Sequence, residues 1–215
     1  MSKGLKCFVA AALMMVGLTV SQASAQNLLA NPGFEDPITF DGPPFIGSWE
    51  GFQGGDAPVT AQASNSTDSP RTGAQSLKLV IGGSVNNFAG AFQDVLVSPG
   101  QTLTFSGFHR AQGAFLVVNE VRFEWRNSVS NTEVGRTANF SPAPGAAYGP
   151  FSISGLVPAN ADTARIVYAI QSFTGDPAHT GTLYIDDVNA SVPEPTSLAL
   201  LGAGALLAIR RRRAA

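Results

Sequence analysis

The stretch Phe115-Leu116-Val117-Val118-Asn119-Glu120-Val121-Arg122-Phe123-Glu124-Trp125-Arg126 reads as a single β-strand. Phe115, Val117, Val121, Phe123 and Trp125 fall on one side, with Asn119 the only polar interruption. Glu120, Arg122, Glu124 and Arg126 fall on the other. Side chains of a strand point alternately to its two faces, so one face is built to cover a core and the other to meet solvent. Shorter runs of the same kind recur on both sides of it. Gln75–Ile81 alternates around Leu77 and Leu79. Gln101–His109 sets Leu103 and Phe105 against Thr102, Thr104 and Ser106. Thr163–Ser172 carries Ile166, Tyr168 and Ile170 on one face, and Thr182–Ala190 closes the series. Turn chemistry separates these runs at Ser98-Pro99-Gly100, Ser141 to Gly145 and Thr174-Gly175-Asp176-Pro177. No segment between Gln26 and Val192 sustains a helical apolar period. Roughly eight to ten short strands are predicted, enough for an all-β domain of two packed antiparallel sheets. Pro37 to Asp56, rich in Gly, Pro and aromatics, is predicted to be a long surface loop.

Composition narrows the function. The chain has 215 residues, 13 Lys+Arg, 15 Asp+Glu and a single Cys. One Cys excludes a disulfide framework and a cysteine-based zinc site. Charge is distributed unevenly along the chain. Lys3, Lys6 and Arg210 to Arg213 lie in the two ends. The middle, 26–192, holds Lys78 and six arginines against fourteen acids, a balance of −7. An acidic domain without a basic face argues against nucleic acid as a partner.

The two ends read as addresses. Lys3 and Lys6 precede a mostly apolar run from Cys7 to Val20, and Ala23-Ser24-Ala25 forms an A-x-A site before Gln26. Residues 1–25 are therefore predicted to be a secretory signal helix that is cleaved. As a helix, Cys7 to Val20 would span about 21 Å, short of the roughly 30 Å hydrocarbon core. At the other end, Pro193-Glu194-Pro195 breaks regular structure. A short apolar run, Ser197 to Ile209, follows and is predicted to be helical; Arg210 to Arg213 come after it and hold the end in the cytoplasm. Tripeptide, short helix and arginine cluster in this order resemble the PEP-CTERM sorting signal of Gram-negative bacteria. The resemblance implies that 193–215 is recognised by an exosortase at Pro193, Glu194 and Pro195. It also implies membrane contact through the C-terminal helix before processing, and export by the secretion machinery across the inner membrane to the cell surface or an exopolysaccharide matrix.

The middle resembles the jelly-roll carbohydrate-binding modules with a galactose-binding-like fold. The resemblance is carried by Asn27-Leu28-Leu29-Ala30-Asn31-Pro32-Gly33-Phe34-Glu35, Trp49, Gly73-Ala74-Gln75-Ser76-Leu77-Lys78-Leu79, Pro99-Gly100-Gln101 with Phe105, and Leu183-Tyr184-Ile185-Asp186-Asp187-Val188. It implies a structural Ca²⁺ held by Glu35 and Asp186, helped by backbone carbonyls near Ala74 or Gln75. Hard cations take several oxygen ligands, and adjacent carboxylates repel unless a cation or hydrogen bonds intervene. For a sugar ligand the candidates are Trp49 and Phe52 as aromatic platforms, with Arg122 and Glu124, joined by Arg110, for hydroxyl groups; the other reading makes Trp49 a plug at one end of the sandwich, which is favoured, and the charge ladder a solvated face.

No catalytic pattern emerges. His109 and His179 are far apart in sequence, and neither a Gly-x-Ser-x-Gly elbow nor a His-Glu-x-x-His helix is present. The expected protein is an exported, non-enzymatic surface or matrix protein associated with polysaccharide. The alternatives are a structural matrix protein without sugar affinity, and a weak glycan-active enzyme.

Overall fold

The computed structural model describes residues 26–57, 59–83 and 86–193. The signal segment, Glu194, Pro195, the C-terminal apolar run and the arginine cluster lie outside the described residues. Among the described residues there are ten strands and no α-helix. The strands are β1 (Glu50–Gly55), β2 (Gln62–Ser66), β3 (Ser76–Ile81), β4 (Asn87–Leu96), β5 (Thr102–Ala111), β6 (Val118–Asn127), β7 (Thr132–Arg136), β8 (Gly149–Leu156), β9 (Thr163–Ser172) and β10 (Gly181–Ser191). They form two five-stranded antiparallel sheets, ordered β1-β4-β9-β6-β7 and β2-β3-β10-β5-β8. Two sheets face to face bury the inward half of each alternating strand and leave the outward half to solvent or ligand.

The core follows the alternation. Val121, Phe123 and Trp125 of β6 and Ile166, Tyr168 and Ile170 of β9 line the first sheet; Leu77, Leu79, Ile81, Leu103, Phe105, Leu183 and Ile185 line the second, and all are buried. Trp49 and Phe34 close one end, with ring centroids 5.0 Å apart. The core cluster runs from Leu29 to Ala190, so it is complete without either terminal segment. Residues 26–192 thus carry a continuous core among the described residues.

Two features differ from the expectation. The predicted surface loop at 37–56 is not all loop, because Glu50–Gly55 is the edge strand β1 paired with β4. The long strand expected from Phe115 begins instead at Val118. Phe115 packs against the core from the segment before it.

One polar link crosses the core. His109 on β5 places Nδ1 2.5 Å from the Tyr168 hydroxyl on β9. Asn119, the polar interruption in β6, donates to the same hydroxyl at 3.1 Å and to the Pro142 carbonyl at 2.6 Å. With its oxygen accepting from Asn119, the Tyr168 hydroxyl donates to His109, whose Nδ1 therefore accepts. Burial pushes the His109 imidazole down to about 4, so the ring sits neutral in the core.

Candidate functional site

The outward face of the first sheet concentrates the chemistry. On β1 and β4 its outward positions are Phe52, Phe88 and Phe92. Together with Phe45 and Phe173 these form a continuous row. Successive centroids are 4.9 Å apart for Phe45–Phe92, 6.1 Å for Phe92–Phe52, 6.3 Å for Phe52–Phe88 and 6.4 Å for Phe88–Phe173. Glycines let the rings lie down. A Cβ on Gly90 would collide with the Phe52 ring and the Tyr168 carbonyl, and a Cβ on Gly54 would meet the Phe88 ring at 2.7 Å. Each ring thus rests on the bare backbone of the neighbouring strand, which turns its other side outward.

Beside the row, Gly90 is paired with Ala169, which in turn is opposite Glu120; Val167 lies between Phe92 and Arg122. Beyond them stands the polar ladder of β6. Arg122 bridges Glu120 and Glu124, donating to the latter from Nε at 2.9 Å and from Nη2 at 2.7 Å. Glu120 also accepts from Asn139 at 2.5 Å and from Gln171 at 3.1 Å. At one end Arg165 pairs bidentately with Asp94, at 2.8 and 3.1 Å. Its guanidinium lies 4.0 Å from the Phe92 centroid and 4.6 Å from that of Phe45. The result is a face on which a row of partly buried aromatic rings runs beside paired polar groups, with Val167 and Ala169 covered beneath them at 1% and 3% exposure. Such a surface can take a ligand with an apolar face and hydroxyl edges.

The residues singled out in the sequence divide differently from expectation. Arg122 and Glu124 stand on this face, bonded to each other, and Phe52 is in the row. Trp49 does not share the face. Its ring is 2% exposed and its Nε1 donates to the Asn31 carbonyl at 3.2 Å. As an outward-facing platform Trp49 is therefore corrected, because its position precedes β1 and turns it into the end of the core. Arg110 is on β5 in the other sheet and donates to Ser69 at 2.8 Å, so it cannot act beside Arg122. Phe45, Phe88, Phe92 and Arg165 were not anticipated. The signal for two of them was present in Phe88 and Phe92, four residues apart in a run whose alternate positions are Ala89 and Ala91.

The candidate metal ligands sit on the opposite side of the sandwich. The Glu35 carboxylate accepts from the Ala74 amide at 3.0 Å and the Gln75 amide at 3.4 Å. Asp186 is fully buried in β10, beside the bulge between Asp186 and Asn189. It accepts from the Arg71, Thr72 and Asp187 amides at 2.7, 3.2 and 2.7 Å. Both carboxylates border Gly33, each with an oxygen 3.9 Å from the position of its would-be Cβ. At 74 and 75 the loop thus offers amide hydrogens to Glu35, where carbonyl oxygens were expected. Among the described residues no cationic side chain pairs with Asp186; the nearby Arg71 pairs with Asp187 at 2.5 Å. Burial pushes the Asp186 carboxyl up. Among the described residues no group of three or more His, Cys, Asp or Glu converges. A hard divalent cation fits the two carboxylates only if main-chain oxygens supply the remaining ligands.

Comparison with known proteins adds two findings. Residues 191–213 match the family model of the PEP-CTERM protein-sorting motif, which implies export and processing by an exosortase. No curated protein sequence matches the chain. Among solved structures, the CBM22-1 xylan-binding domain of Paenibacillus barcinonensis Xyn10C is similar at a TM-score of 0.54 with 11% identity, over 80% of this chain and 97% of that one. The enzymatically active domain of bacteriophage CBA120 tailspike protein 4 is similar at 0.57 with 15% identity, over 77% of this chain but only 21% of that one. The arabinose-bound α-L-arabinofuranosidase MgGH51 is similar at 0.53 with 13% identity, over 80% of this chain and 27% of that one. At such identities the likeness shows the fold alone. The chain thus carries a PEP-CTERM sorting motif at 191–213, behind a β-sandwich with the fold of carbohydrate-binding modules.

Proposed function

We propose that this is an exported, non-enzymatic, polysaccharide-associated protein of the cell surface or extracellular matrix of a Gram-negative bacterium. On this reading 1–25 is removed as a signal peptide, 26–192 is the binding domain, and 193–215 hands the chain to an exosortase. The observation that carries the sugar reading is the partly exposed phenylalanine row running beside the Glu120–Arg122–Glu124 ladder on the outward face of the first sheet. Apolar faces of sugar rings would stack on Phe52 and Phe88, with hydroxyls turned to the ladder, Gln171 and Asn139. The non-enzymatic reading is supported by the state of the acids. Glu120 and Glu124 are both tied to Arg122, and Asp94 to Arg165. General acid–base work on a glycosidic bond asks for a pair of carboxyl groups flanking it.

The test is affinity electrophoresis of 26–192 through gels containing neutral or acidic polysaccharide. Retardation by at least one polymer is expected. Phe52→Ala should weaken it about tenfold, equivalent to ~1.4 kcal/mol. No retardation by any polymer would leave the structural matrix reading, which the complete internal pairing of Arg122 and Arg165 favours. Product release from the same polymers would revive the enzyme.

We also propose that Glu35 and Asp186 hold a structural Ca²⁺. The buried Asp186 carboxylate, paired with no cationic side chain, is what supports it. Calorimetric melting of 26–192 with calcium should give a melting temperature several degrees above that in chelator, about 2.7 kcal/mol at a hundredfold excess over Kd. Asp186→Asn should abolish the difference. Identical melts with and without chelator would sink the proposal.

A further inference from the structure

We infer that, before processing, the end of the sandwich from which the chain leaves is seated in the headgroup layer of the membrane, with Leu96, Val129 and Leu156 as its contacts with lipid. The inference rests on the sorting-signal reading above and adds what that tail does to the domain in front of it. β10 ends at Ser191, which pairs with Thr104. Thr104 lies two residues inside the Thr102–Leu156 pair that closes the second sheet. Val192 still packs against the core, and Pro193 follows, exposed. The chain therefore departs at one end of the sandwich. Three turns are tied together at that same end. The Val97 amide donates to the Asp162 carbonyl at 3.0 Å, the Gly100 amide to the Val157 carbonyl at 2.9 Å, and Asn127 Nδ2 to the Asn160 carbonyl at 3.0 Å. Leu96 and Leu156 stand there more than half exposed, and Val129, in the turn between β6 and β7, is 93% exposed. The turns 96–101, 127–132 and 156–162 hold one charged residue, Asp162, although 26–192 carries a balance of −7. Its carboxylate is taken up by the Ser128 amide and hydroxyl, at 2.8 and 2.7 Å, and by the Thr163 hydroxyl at 3.0 Å. Apolar tips on so charge-poor an end can enter headgroups at little desolvation cost.

The opposite end also exposes apolar side chains, Leu116, Val118 and Phe173, so exposure alone does not choose between the two. The length of the tail does. Ser197 to Ile209 is thirteen residues, a helix of about 20 Å against a hydrocarbon core of roughly 30 Å. With Arg210 to Arg213 held at the cytoplasmic boundary, the outer end of that helix stops about 10 Å beneath the outer boundary of the core. The headgroup layer adds ~6 Å. Only Glu194, Pro195 and Thr196 stand between Pro193 and Ser197, and four residue steps reach at most about 14 Å when fully extended. The tether is thus no longer than the ~16 Å it must cross to bring Pro193 out to water. The tips beside Pro193 are drawn into the headgroups with it. In this posture the strands stand along the membrane normal. Both sheet faces, the phenylalanine row included, stay open to polymer, and Pro193-Glu194-Pro195 is kept at the membrane surface.

The test uses the full chain, made in a host that has no exosortase and reconstituted into vesicles of phosphatidylethanolamine and phosphatidylglycerol. Cys7 is the single cysteine, so Cys7→Ser clears the background for site-specific probes. Val129→Cys and Leu156→Cys each put a fluorophore on the proposed contact. Phe173→Cys and Asp176→Cys put it at the opposite end, and a thermal melt checks that each variant is folded. The ten-residue strands β4, β5 and β9 set the two ends about 30 Å apart. A nitroxide carried on lipid headgroups should therefore quench at 129 and 156 at least about threefold more than at 173 and 176. Inserting about ten Gly and Ser residues after Thr196 adds ~17 Å of reach and should bring all four probes to the same low level. Equal quenching in the chain of native length would overturn the contact, the bilayer thinning to meet the helix instead. Strong quenching at 129 and 156 that survives the insertion would overturn the tether as its cause. A probe at 129 that is shielded from water yet unquenched by lipid would mean that a second copy covers this end, and would overturn the contact as well. If the full chain does not float with the vesicles, the reading of 197–209 as a membrane segment fails first, and the contact with it.

Discussion

Replacing Arg122 by Met is expected to destabilise the domain by about 3 kcal/mol, read as a lowered urea midpoint at unchanged slope. Arg122 is the middle of a three-residue ion array whose side chains are only 14%, 7% and 10% exposed for Arg122, Glu120 and Glu124. Removing the cation leaves two carboxylates on one strand face with no opposite charge between them. Gln171 and Asn139 still donate to Glu120, but hydrogen bonds do not cancel the mutual repulsion. Two further results identify the cause. Glu120→Gln and Glu124→Gln, added to Arg122→Met, should recover most of the loss, because the neutral set no longer repels. Raised ionic strength should also recover part of the loss in Arg122→Met, since screening weakens the same repulsion. An Arg122→Met protein as stable as the parent would show that solvent already screens this array.

The second large effect is acid sensitivity set by His109. Its imidazole sits at about 4 in the folded protein, against 6.5 as a free side chain. Between these values the unfolded chain takes up a proton that the folded core refuses. Stability is therefore fully present above about pH 6.5, falls as pH drops towards 4, and levels below that once the folded state also protonates. The gap corresponds to about 3 kcal/mol. The geometry agrees with the direction of the shift. Nδ1 accepts from the Tyr168 hydroxyl, which is itself held by Asn119, so a proton on Nδ1 would confront another hydrogen. Phe151, with its centroid 5.3 Å from the imidazole, adds no compensating charge. Urea midpoints of the parent and His109→Gln, taken from pH 7 to pH 4, give the test. The difference between the two slopes isolates the histidine from the carboxylates, which titrate in both. Parallel slopes would mean that His109 protonates without breaking the link.

The strands with polar outward faces were legible in the sequence. β5 and β6 carry mostly apolar residues at one parity and mostly polar ones at the other, and β9 sets Ile166, Tyr168 and Ile170 on its inward face, and the structure uses them that way. β4 hides because both of its faces are apolar. Its inward residues Ala89 and Ala91 are small, its outward Phe88 and Phe92 are large, and the strand alternates in size instead of polarity. That same inversion kept the candidate site out of view. The aromatic row is formed by side chains that a polarity pattern assigns to a core. β1 was concealed for a related reason, since its glycines read as loop but serve as seats for aromatic rings.

From the sequence alone one can read an all-β chain with a PEP-CTERM sorting motif at its back and an acidic, thiol-free segment, 26–192, before it. Those properties depend on neighbouring residues and on composition, which order along the chain preserves. Which aromatics face outward, and which charges cancel, was decided by the tertiary structure. Trp49 and Phe52 are three positions apart, yet one plugs the core and the other joins the outward phenylalanine row. Glu120, Arg122 and Glu124 read as a free charged ladder until packing brings them together as an internally paired array. Sheet order does this work. By placing β4 and β9 between β1 and β6, it sets Phe52 and Arg122 on one face of one sheet, although 70 residues separate them in the chain.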